Sequence, residues 1–134
     1  MTITRETLRF VELILAIYGT GLGWMFVAMP QEFAAYEAWS AVMPIEDWGL
    51  LWLTASLLHI FALWLNGRNR IMSKACRAVA CGLHLTTLML SIGFYAQIGA
   101  WWGVWSLTVF AAMTALVGSR VVGGLKYEVK NAHA

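Results

Sequence analysis

Residues 48–70 read WGLLWLTASLLHIFALWLNGRNR. Over 48–65 no side chain is charged, and the run then breaks at Asn66-Gly67 into Arg68 and Arg70. A membrane-crossing helix needs about 20 mostly apolar residues at about 1.5 Å rise each. This stretch is therefore an apolar span that ends on a cationic junction. Outward from it, three further segments have the same character, at about 8–29, 78–98 and 101–122. Together the spans use most of the 134 residues, so the whole chain, 1–134, is expected to be a single membrane domain. The only two prolines, Pro30 and Pro44, fall outside the spans. That placement suits helices whose backbone bonds are all satisfied internally.

Composition agrees. The chain is 60% apolar and 12% charged, with mean hydropathy +0.69. Soluble domains have roughly 45–50% apolar and about 25% charged residues. A soluble domain and a disordered chain are excluded on this count, and a net charge of +2 leaves no basic surface for nucleic acid. The first span is too long for a signal-peptide core and contains Glu12, and no small-residue cleavage site follows Met29, so it is expected to be a retained anchor.

All nine basic residues sit in the N-terminal tail (Arg5, Arg9), the second-to-third connection (Arg68, Arg70, Lys74, Arg77) and the C-terminal tail (Arg120, Lys126, Lys130). The first-to-second connection carries Glu32, Glu37, Glu46 and Asp47 instead. By the positive-inside rule both termini are expected in the cytoplasm. The expected fold class is all-α, an integral membrane four-helix bundle with up-down topology. Trp39, Trp48, Trp52, Trp101, Trp102 and Trp105 gather at the outer ends of the spans, as interfacial anchors do. The segment 31–43 is a candidate amphipathic helix lying on the outer leaflet, the alternative being an irregular loop.

Helices in lipid associate through small residues and polar contacts. Gly19 and Gly23 form a GxxxG pair in the first span, and Ala111, Ala115 and Gly118 lie on the small-residue stripe of the fourth. Whether these faces meet within one chain or between copies is open. Ionisable residues inside spans are costly and often functional, and Glu12, His59 and His84 are the three here. Reflecting the second span onto the third about Ile71 or Met72 puts His59 and His84 at one depth. The pair are candidate axial ligands for haem b or ligands for a metal, or members of a proton relay; the alternative is two neutral histidines hydrogen-bonded within the bundle. Glu12 is expected to pair with Arg77 or Lys74, or to reach the interface. Cys76 and Cys81 point about 140° apart on a helix and are expected as small apolar filler. No catalytic set is present, so the chain is read as non-enzymatic, with no resident cofactor as the default.

Trp48-Gly49, His59 and the run Ala62-Leu63-Trp64-Leu65-Asn66-Gly67-Arg68-Asn69-Arg70 resemble small multi-span membrane proteins of bacteriophages and prophages, which carry an ALxxNGxxRR-like junction between two helices. That pattern has adjacent arginines followed by Ser or Thr, and Asn69-Arg70-Ile71 departs from it. The resemblance implies a phage-borne inner-membrane protein. Combined with the small-residue stripes, it leads to the expectation of a self-associating protein, in its most concrete form holin-like in host lysis. The alternatives are a small transport, channel or haem-binding redox subunit using His59 and His84, and a membrane scaffold. The expected partners are the lipid bilayer and either further copies of the chain or another membrane protein.

Overall fold

The computed structural model describes residues 4–29, 36–66 and 68–132. They form α1 (Arg5–Ala28), α2 (Tyr36–Ser40), α3 (Ile45–Leu65), α4 (Arg70–Gln97) and α5 (Trp101–Ala132). All described secondary structure is helical, and α1, α3, α4 and α5 are each long and apolar enough to cross a membrane. α1 packs on α3, α3 on α4 and α4 on α5, while α5 touches α1 lightly and closes the ring.

Local sequence explains where the helices begin and stop. The Thr4 side chain accepts from the Thr7 amide to cap α1, and Asn69 accepts from the Met72 amide to cap α4. Glu46 and Asp47 sit in the first turn of α3, where the helix dipole favours acids. Gly99 adopts φ +69°, while the Gly99 and Ala100 amides return to the carbonyls of Ala96 and Tyr95. This is a Schellman stop, and it turns the chain sharply into α5.

The cap at Asn69 also corrects the position of the hairpin. α3 ends at Leu65 and α4 begins at Arg70, so Ile71 and Met72 lie inside the capped first turns of α4 and not at the centre of the connection. α4 and α5 likewise outrun their apolar spans, since their polar ends are compatible with helix and pack on each other through Lys74 and Glu128.

On α3 the buried positions are 45, 48, 49, 52, 55, 56, 59 and 62, and on α4 they include 73, 80, 81, 84, 87, 88, 91 and 94. Both series follow three-four spacing, so each helix turns one stripe inward. The exterior is rich in large apolar side chains such as Phe10, Ile17, Leu57, Val79 and Met89. The interior holds Glu12, Ser56, His59, Ser73, His84, Thr87, Ser91 and Thr114. An apolar exterior over an interior that mixes apolar and polar side chains is compatible with lipid surroundings.

Glycine sets the α1–α3 crossing. A Cβ on Gly23 would lie 2.8 Å from the Gly49 carbonyl oxygen, and one on Gly49 would lie 2.8 Å from the Gly23 carbonyl oxygen. A Cβ on Gly19 would run into Ser56 Oγ and stand 2.6 Å from His84 Nε2. On α5 the inward face runs through Leu107, Ala111, Thr114, Val117 and Val121. Gly118 lies beside Cys81, but Ala115 faces outward with Thr108 and Ala112, so Ala115 is not an intrachain packing residue.

Three of the tryptophans are not interfacial anchors. Trp39, Trp48 and Trp52 are buried, whereas Trp101, Trp102 and Trp105 are exposed, Trp102 to 90%. Trp48 Nε1 donates to the Trp39 carbonyl, and Trp39 packs against Phe26, Trp48 and Phe94 at centroid distances of 4.8 Å. The short helix α2 thus inserts Trp39 as a plug into the bundle. Residues 31–35 of the candidate amphipathic helix, and His133, are outside the described residues.

Candidate functional site

Most buried hydroxyls are already satisfied by their own helices. Thr87 donates within α4 to the carbonyls of Leu83 and His84, Ser91 to Thr87, and Thr114 to Phe110 within α5. Ser73 instead donates across to the Ala62 carbonyl at 2.7 Å, tying α4 to the last turn of α3. What remains is a polar line through α1, α3 and α4.

The line starts with Glu12 and Arg77. Arg77 donates through Nε and Nη2 to Glu12 Oε1 at 2.8 and 2.6 Å. Glu12 is fully buried and Arg77 is 11% exposed. Of the two partners open to Glu12 in the sequence, Arg77 is therefore the one used; Lys74 pairs with Glu128 on α5. Glu12 Oε2 has no hydrogen-bond partner among the described residues.

Next come the histidines. The rings of His59 and His84 stack with centroids 5.1 Å apart and planes 15° apart. Cys81 Sγ lies 3.5 Å from His59 Nε2, and Ser56 Oγ lies 3.2 Å from His84 Nε2. Ser56 Oγ is also 2.9 Å from the Trp52 carbonyl. The hydroxyl can donate to that carbonyl while accepting from a protonated His84 Nε2, or donate to an unprotonated Nε2, so the Ser56–His84 pair has two hydrogen-bond states. His59 Nδ1 is buried without a partner among the described residues.

Each end of the line meets a cavity. At the end where α1 begins and α5 finishes is a cleft of about 470 Å³ lined by Arg9, Arg70, Lys74, Arg77, Arg120 and Glu128 among others. At the far side Trp52, 5.5 Å from His84 between ring centroids, borders a cavity of about 90 Å³ with Tyr18, Trp39, Ser91 and Tyr95. Arg77 and Trp52 thus each belong to both the line and a cavity.

The pair does not fit a haem. Two axial histidines must point ring nitrogens at one iron from opposite sides of the macrocycle. His59 and His84 instead lie face to face with no room between them, and neither borders either cavity. Among the described residues no group of three or more His, Cys, Asp or Glu is placed to hold a metal ion.

The sequence singles out both histidines as ionisable residues within their spans and leaves Cys81 as apolar filler. Sequence reading missed that Cys81 is a histidine neighbour and that Gly49 and Trp52 complete the α1–α3–α4 contact. The three-four spacing of 45, 49, 52, 56 and 59 was the available signal. No protein-family model, no curated protein and no solved structure matches the chain.

Proposed function

We propose that this chain is a non-enzymatic multi-pass membrane protein of a bacterial inner membrane that acts as a small transport or coupling subunit, with Glu12, His59 and His84 as its titrating groups. The observation that carries the reading is the stacked, fully buried His59–His84 pair, set between two cavities and next to an ion pair. Buried ionisable groups in membrane helices are expensive and characteristically line proton or ion paths. The unpartnered His59 Nδ1 and the two-state Ser56 bond give protons alternative positions. The test is proton flux in vesicles containing purified protein. Wild type is expected to dissipate an imposed pH gradient, and a His59→Phe plus His84→Phe variant that keeps its melting temperature is expected not to. Flux no greater than in empty vesicles, or flux unchanged in the variant, would remove the reading.

A second reading, the self-associating phage-type membrane protein with a holin-like role, is favoured by one feature. Thr108, Ala112, Ala115, Ser119 and Gly123 form an outward-facing line of small residues on α5. Such lines let helices of separate copies approach closely. Induced expression that arrests growth and collapses the membrane potential supports the lytic form; unaffected cells remove it. A scaffold role would instead show as a stable partner co-purified from native membranes.

A further inference from the structure

The cleft where α1 begins and α5 finishes has a charge pattern that the proton-path reading does not use. Its wall comes from three parts of the chain: the start of α1 (Leu8, Arg9), the α3–α4 junction (Asn66, Arg70) and α5 (Arg120, Gly124). Lys74 is held toward α5 by Glu128 at 2.7 Å and by the Gly124 carbonyl at 3.2 Å, and Arg77 is held toward α1 by Glu12. Glu128, itself part of the cleft wall, is thus engaged by Lys74, and Glu12, behind the wall, by Arg77. Arg9, Arg70 and Arg120 stand exposed at the rim and make no ion pair with the described residues.

We infer that this cleft binds a phosphate ester, with Arg9, Arg70 and Arg120 as the recognising side chains. Guanidinium groups present paired donors that match phosphate oxygens, and three of them converging from separate helices can surround one such group. At about 470 Å³ the cleft takes a phosphate together with the alcohol it esterifies. Exposed apolar residues adjoin the rim arginines in sequence, Phe10 beside Arg9 and Ile71 and Met72 beside Arg70. They offer acyl chains a path away from the charged site. Basic pockets between helices at the cytoplasmic face bind anionic headgroups in this way. The same phosphate chemistry is presented by an anionic phospholipid or by soluble phosphate.

The experiment uses the full chain in neutral detergent, with thermal unfolding and native mass spectrometry as readouts. Phosphatidylglycerol, phosphatidylcholine and inorganic phosphate are added in separate arms. Stabilisation and retention of phosphatidylglycerol, with neither seen for phosphatidylcholine, identifies a lipid headgroup as the ligand; stabilisation by inorganic phosphate as well identifies phosphate itself as sufficient. Arg70→Ala plus Arg120→Ala is expected to weaken the apparent affinity about tenfold or more per arginine. Lys126→Ala plus Lys130→Ala removes as much charge from exposed positions that do not line the cleft, and is expected to leave affinity within about twofold. No response in the phosphatidylglycerol and phosphate arms, or equal losses in the two double variants, overturns the site. The outcome is independent of whether His59 and His84 carry protons.

Discussion

Glu12 on α1 receives two hydrogen bonds from Arg77 on α4 through one carboxylate oxygen, and its second oxygen is buried with no hydrogen-bond partner among the described residues. α1 and α4 are not principal packing partners; α1 leans mainly on α3, and α4 mainly on α5. The ion pair therefore fastens a diagonal of the bundle that helix packing leaves open.

Removing one partner of that pair strands the other. Arg77→Ala leaves a fully buried carboxylate and is expected to cost about 3–5 kcal/mol, read as a loss of thermal stability in detergent. Glu12→Gln is expected to cost less, because Arg77 is 11% exposed and its long stem can carry the charge outward. Equal stability of both variants with wild type would mean that the pair does not hold the diagonal.

The α1–α3 crossing admits no side chain at Gly23. Its Cβ would meet the Gly49 carbonyl oxygen at 2.8 Å and the Leu53 amide nitrogen at 2.9 Å, both of them backbone. Gly23→Ala is expected to push the helices apart and to cost about 1–3 kcal/mol. Gly21, two positions earlier, has nothing within 4 Å, so Gly21→Ala is expected to be neutral or stabilising by up to about 1 kcal/mol. Paired thermal melts of the two variants check the contrast.

Ser73 supplies a hydroxyl to one of the four C-terminal carbonyls of α3, that of Ala62, at 2.7 Å in a buried setting. Ser73→Ala is expected to cost about 1–3 kcal/mol and to speed amide exchange in the last turn of α3. Exchange followed residue by residue separates this local effect from general loosening.

The membrane crossing itself is open to direct test. With Cys76 changed to Ala and Cys81 buried, a single cysteine at Lys126 or at Trp102 becomes the one exposed thiol among the described residues. A membrane-impermeant maleimide is expected to label the two variants from opposite sides of inverted and right-side-out vesicles. Labelling of both from one side would refute the four-crossing topology.

Much of the architecture is legible locally. The apolar lengths of the four long helices, the caps at Thr4 and Asn69 and the stop at Gly99 depend on neighbours a few residues away. The inward positions of Ser56, His59, Cys81 and His84 follow from three-four spacing alone. The site was only half legible for the same reason. Spacing shows which face a residue occupies, but not which way its ring turns, and a stacked pair differs from a ligating pair in that turn alone.

The sequence by itself determined how many long apolar helices there are and which face of α3 and α4 turns inward, because each of these is a property of a single segment and its periodicity. Only the tertiary structure decided that Arg77 rather than Lys74 reaches Glu12, that Trp39 is a plug rather than an anchor and that Ala115 faces away from the bundle. Those outcomes depend on the relative rotation and offset of whole helices. Helix packing sets these through the volumes and close approaches of residues far apart in the chain, such as Gly23 against Gly49.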